Sequence, residues 1–69
     1  MPLTMMGVGT RHQIKRVTGN DAVRKRLEIL GFTEGACVEI VSESHGNLIL
    51  GVMDSRVAVD KALAGRILV

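Results

Sequence analysis

The stretch that decides the fold runs Asn20-Asp21-Ala22-Val23-Arg24-Lys25-Arg26-Leu27-Glu28-Ile29-Leu30-Gly31-Phe32. Asn20 or Asp21 can accept the free amide hydrogens that open a helix, and Ala22 to Leu30 is rich in helix formers. Gly31 marks the stop, because glycine takes the left-handed geometry of a helix end without steric cost. Phe32 just beyond it can fold back on the last turn. Val23, Leu27 and Leu30 fall on one stripe, which predicts a face turned to a core. Ile29 lies outside that stripe. It groups with Ala22 and Lys25, and Arg26 stands between the two sets.

Outward from this helix the chain breaks into short pieces. Before it, Arg11 to Val17 is charged but holds Ile14 and Val17; their spacing of three breaks strict alternation and predicts one strand with a bulge. After it, Thr33-Glu34-Gly35 is a turn and Ala36 to Val41 a strand with Val38 and Ile40 on one face. Ser44-His45-Gly46-Asn47 makes the next turn. Leu48 to Met53 is the most apolar strand, Asp54-Ser55 a tight connection, and Arg56 to Val59 a strand alternating around Val57 and Val59. Asp60 caps a single helical turn to Ala64, and Arg66 to Val69 is the last strand. Residues 1–9 read as a lead-in, flexible at Gly7-Val8-Gly9. The fold class is therefore mainly β: a small, strongly bent sheet closed as a barrel, with one short α-helix after the first strand and a helical turn before the last. Gly51 then marks a bend or a close backbone approach.

With 69 residues, 46% of them apolar and one aromatic, the chain has material for a single domain. A chain this short buries about 60% of the surface its unfolded form exposes, so a deep substrate cavity would use up its core. No apolar run approaches the roughly 20 residues of a membrane-spanning helix, and the opening segment lacks the basic start of a signal peptide. A lone Cys37 fits no disulfide framework. A cytoplasmic protein is expected.

His12, Cys37 and His45 are the chain's nitrogen and sulfur donors of catalytic or metal-binding type, and none stands at a ligand spacing such as C-x2-C or H-x3-H. They read as a histidine on the solvent face of an edge strand, a small hydrophobe in or near a core strand, and a histidine at a turn tip, in that order. As metal candidates they suit adventitious or interfacial zinc or iron, and no resident cofactor is expected. Met1, Met5 and Met6 read as adaptable gap-fillers. With no acid–base pair or nucleophile site in view, an enzyme is not expected.

Charge carries more information. Arg11, Lys15, Arg16, Arg24, Lys25 and Arg26 face only Asp21 within residues 11–26, whereas carboxylates outnumber cations beyond. The formal net charge of +2 hides this asymmetry, and one flank should attract anions. Arg24, Lys25, Arg26 and Ile29 are the partner-binding candidates. Two bland alternatives stand beside them. The basic face can be merely solvated, with Arg24 paired to Glu28 one turn on, and Ile29 can pack against Leu3 to Met6 or the last strand.

Leu3, Met6 and Gly9, Ile14 and Val17-Thr18-Gly19, then Arg24 through Phe32 followed by Gly35 and Val38, resemble the FeoA family, ferrous iron transport protein A. Gly46-Asn47-Leu48, Arg56-Val57-Ala58-Val59, Ala64 and Ile67-Leu68-Val69 are similar to that family's carboxyl-terminal pattern. The resemblance implies an SH3-like barrel, cytosolic and non-enzymatic, acting as an accessory of the FeoB-type ferrous iron transporter. Similar domains are fused to repressors of the DtxR type as interaction modules; no DNA-binding helix pair precedes this one. The chain departs from the family pattern at Glu34, where proline is frequent, at Ile29, where a polar residue is frequent, and near Asn47. Docking on the transporter's cytosolic part is the leading reading. One rival is a transition-metal-binding or sensor module using His12, Cys37, His45 or methionines. The other is a nucleic-acid-binding barrel, disfavoured because base stacking needs aromatic side chains and Phe32 is committed to the helix end. A homo-oligomer is compatible with so small a core.

Overall fold

Asn20 accepts a hydrogen bond from the Val23 amide at 2.9 Å, and the helix it opens, α1, runs Asp21–Ile29 in a computed structural model that describes residues 1–69. At the other end Gly31 takes a φ of 101°. That geometry lets the Gly31 amide donate to the Glu28 carbonyl at 3.0 Å and the Phe32 amide to the Leu27 carbonyl at 2.9 Å, so the helix end is closed by its own chain. Phe32 is carried into the core. Leu27 is fully buried and Val23 and Leu30 are half-buried, so the stripe faces inward as its spacing requires.

A 3-10 turn at Leu3–Met5 precedes β1, Arg11–Gln13, and β2, Arg16–Val17. After α1 come β3 at Cys37–Ser44, β4 at Asn47–Val52 and β5 at Ser55–Asp60, then the short helix α2 at Lys61–Ala64 and β6 at Ile67–Leu68. The strands form a four-stranded antiparallel sheet in the order β1-β3-β4-β5 and a two-stranded sheet of β2 and β6. The expected single bulged strand from Arg11 to Val17 is thus two strands in two sheets. The change of sheet falls at Ile14 and Lys15: the Ile14 amide donates to Ala36 and the Lys15 amide to Leu68, each at 2.8 Å. Ile14 is 1% exposed, and burying it between the sheets is what bends the chain there. The sheets wrap the core without the closure into a barrel that was expected, because β1 and β5 remain edges and β2 and β6 pair with no strand but each other.

Both hairpins turn on two residues with positive φ, His45-Gly46 (49° and 80°) and Met53-Asp54 (49° and 64°). Such turns match the twist of the strands they join. Met53 accordingly belongs to a turn rather than to the apolar strand, and the tight connection lies one residue earlier than the sequence suggests. In β3 the register shifts between Ile40 and Ser42, leaving Val41 as the extra residue of a bulge. A β-carbon on Gly51 would stand 3.6 Å from Val41 Cγ2 and 3.7 Å from Glu39 Cβ. The neighbours of Gly51 are side chains, so of the two readings, a bend or a close backbone approach, the second does not hold.

Thirteen buried apolar residues form the core, among them Leu3, Ile14, Leu27, Phe32, Leu50 and Ile67. Leu3 shows that the opening segment is part of the packed unit. Pro2 bridges to Leu68, and the Gly9 amide donates to the Ile40 carbonyl at 2.7 Å, so the expected flexible lead-in is folded along the sheets. Of the three early methionines only Met6 packs against the core; Met1 and Met5 are exposed. Asp60 caps α2 through the Leu63 amide at 2.7 Å.

Candidate functional site

The outer face of α1 carries Ala22, Arg24, Lys25, Arg26 and Ile29, all exposed, because Val23, Leu27 and Leu30 take the inner face. Ile29 is 76% exposed, so it packs neither on Leu3 to Met6 nor on β6. Arg24 pairs with Asp21 one turn back rather than with Glu28. That backward pair sets Arg24 against the carboxylate of the helix's first turn, an exposed contact worth at most about 0.5 kcal/mol. No carboxylate comes within salt-bridge distance of Lys25 or Arg26. These two cations are free to meet a partner, and Arg26 sits in the last turn, where the helix dipole tolerates positive charge.

Met53 completes this surface, and it was not among the residues singled out from the sequence. Its Sδ lies 3.3 Å from the position of a β-carbon on Gly31, two residues beyond Ile29, and its side chain is 77% exposed. Ile29 and Met53 are the two most exposed large apolar side chains in the chain, and both lie at the carboxyl end of α1. The sequence held no signal for Met53, because its place beside Gly31 depends on where the tip of the β4–β5 hairpin packs. Beside α1, an open groove of about 440 Å³ is bordered by Arg24, Lys25, Glu28 and Glu34.

The candidate metal ligands do not converge. His12 stands opposite Val38 and shares its inward face at the sheet edge, half-buried, with Nε2 hydrogen-bonded to Thr10 Oγ1 at 2.8 Å. It is not on the solvent face as expected, because Arg11 and Gln13 occupy that face. Cys37 pairs with Gln13, and so lies on the opposite side of the sheet from His12. It lies on a core strand, β3, as expected, but on its exposed face, since Val38 and Ile40 take the inner one. His45 is at the far tip of the β3–β4 hairpin, roughly 25 Å along β3 from Cys37 at the rise of a strand. No three His, Cys, Asp or Glu side chains come together anywhere in the chain. The chain's one aromatic, Phe32, is 1% exposed and offers no platform for a base.

The FeoA domain model matches residues 1–69, the whole of this chain. The chain belongs to the FeoA family. A solved FeoA described as an iron uptake regulatory protein is 36% identical, with a TM-score of 0.87 over 96% of this chain and 88% of that one. The FeoA of Stenotrophomonas maltophilia, solved with zinc, is 28% identical with a TM-score of 0.86, over 99% of this chain and 87% of that one. That protein is described as a prokaryotic SH3 domain protein and put forward as a bacterial ferrous iron transport activating factor. A manganese-dependent transcriptional repressor shares the fold at 11% identity, with a TM-score of 0.88 over 97% of this chain and 39% of that one. No curated protein sequence matches the chain significantly. As an FeoA-family chain it has the SH3-like architecture that the two bent sheets display, and no helix in it is long and apolar enough to cross a membrane.

Proposed function

We propose that this chain is an accessory module of a ferrous iron uptake system, docking on the cytosolic part of an FeoB-type transporter and modulating it. The observation that carries this reading is the surface at the end of α1, where exposed Ile29 and Met53 flank Gly31 beside the unpaired cations Lys25 and Arg26. An apolar spot with a cationic rim is the anatomy of a small protein interface: the apolar side chains supply binding energy once desolvated, and the rim steers an acidic partner into register. Membership of the FeoA family and the activating role put forward for the Stenotrophomonas relative in ferrous iron transport favour a partner within that transport system. Only rigid-body docking is asked of the chain, because α1 is closed at both ends and anchored by buried Leu27. No metal held by this chain alone enters the reading.

The test is capture of the purified cytosolic domain of the transporter by the full chain. Wild type should retain it, and Ile29→Asp and Arg26→Glu should each weaken retention about tenfold or more, in line with a truncated interface anchor of at least 1.4 kcal/mol. Undiminished retention by both variants would remove α1 from the interface. Loss of iron uptake in cells carrying either variant, with the protein present at wild-type level, would join the surface to the transport function.

A further inference from the structure

β5 is a free edge of the four-stranded sheet, without the proline, lysine or bulge that shields many such edges. The opposite edge, β1, is only three residues long. β5 has six residues, with no proline, lysine or bulge, and pairs with β4 without a break from Asn47 opposite Asp60 to Val52 opposite Ser55. The Lys61 amide donates to the Gly46 carbonyl at 3.1 Å, which continues the same ladder and sets its alternation. Ser55, Val57 and Val59 exchange bonds with β4, and the backbone groups of Arg56, Ala58 and Asp60 point away from the sheet. Arg56, Ala58 and Asp60 are all exposed.

The two charged side chains on this edge, Arg56 and Asp60, have no ion-pair partner within the chain. Arg56 stands opposite Gly51, which offers no side chain, and no carboxylate of its own chain reaches it. Asp60 uses Oδ1 to cap α2 and forms no ion pair.

We propose that a second copy of this chain pairs along β5, antiparallel, about a two-fold axis at Ala58. In that register Ala58 meets its own counterpart, and Arg56 of each copy lies directly opposite Asp60 of the other. All of these are residues whose amides and carbonyls point outward, so the backbone ladder and the charges are satisfied together. Two cross-chain ion pairs form by symmetry. Val57, half-buried in one copy, meets Val59 of the other on the inner face. Shifting the pairing by two residues in one direction sets Asp54 against Asp60, carboxylate to carboxylate, and in the other leaves Arg56 without an acidic residue opposite. The charges therefore select one register.

The experiment is sedimentation equilibrium of the full chain from about 10 μM to about 1 mM, a range that covers the weak association expected of one strand pair. Wild type should dimerise within it. Arg56→Asp and Asp60→Lys each place like charges opposite one another at both ends of the pairing, and each should raise the dissociation constant about tenfold or more. An equimolar mixture of the two variants restores opposite charges at both positions and should associate as wild type does. Because Asp60→Lys also removes the α2 cap, circular dichroism checks that it folds; Ala58→Pro, which removes an amide that has no partner in the monomer, gives a second monomeric variant. The proposal fails if wild type stays monomeric throughout, as it would if β5 serves an acidic strand of another protein. It also fails if Arg56→Asp self-associates like wild type, or if the folded mixture associates no better than its components.

Discussion

Met53 Sδ rests 3.3 Å from where a β-carbon on Gly31 would stand, so the tip of the β4–β5 hairpin sits on the end of α1. The contact ties two turns of opposite origin, one ending a helix and one reversing a sheet, and it brings exposed Met53 to a residue two positions from exposed Ile29. Gly31→Ala should destabilise the protein by about 1–2 kcal/mol, the penalty of a β-carbon in the left-handed region. Met53→Ala should change stability by less than about 0.5 kcal/mol, as expected for an exposed side chain. Urea denaturation of the single and double variants separates the causes. Gly31→Ala should remain destabilising in the Met53→Ala background, because the strain lies in the backbone and the thioether tip can move aside.

Asn20 and Asp21 are neighbours with unequal work. Asn20 caps the Val23 amide, whereas Asp21 makes an exposed pair with Arg24. Asn20→Ala should lower stability by about 1 kcal/mol and Asp21→Ala by no more than about 0.5 kcal/mol. Thermal unfolding followed by circular dichroism measures both, and equal losses would contradict the assignment of the cap.

Leu27 and Ile29 are two residues apart on α1 and face opposite ways. Leu27→Ala should cost about 2–5 kcal/mol, enough to unfold much of so small a domain, and Ile29→Ala less than about 0.5 kcal/mol. The same pair should invert in a transporter-binding assay, where Ile29→Ala weakens capture without altering the unfolding midpoint.

Cys37 is exposed at the start of β3. A disulfide-exchange reagent should titrate one thiol per folded chain at a rate close to that in denaturant, since no opening of the structure is needed for access. A rate slowed by orders of magnitude in the folded protein would contradict the exposed placement of Cys37 on the outer face of β3.

Much of the fold was legible because its signals are local. Asn20, Gly31 and Phe32 marked both ends of α1, the alternation of Val38 and Ile40 gave the inner face of β3, and Asp60 announced α2. The same signals misplaced the strand from Arg11 to Val17, because the spacing of Ile14 and Val17 fits a bulge as well as a change of sheet. Only the acceptors, Ala36 for Ile14 and Leu68 for Lys15, distinguish the two. Of the candidate site, Lys25, Arg26 and Ile29 follow from the helical wheel alone. Met53 and the corrected sides of His12 and Cys37 do not, since each depends on which strand lies opposite.

What the amino-acid order determined by itself was the helix with its caps, the hairpins to within a residue and the inward apolar stripes of α1, β3 and β4, all set by interactions spanning a few residues. What the tertiary structure alone decided was adjacency. Hydrogen bonding between distant strands split the first strand, brought Met53 to Gly31, turned Cys37 outward and left the outer edge of β5 without a neighbour. Those outcomes depend on pairings across tens of residues, where the energy of a contact is set by the partner the chain finds and not by the residue that offers it.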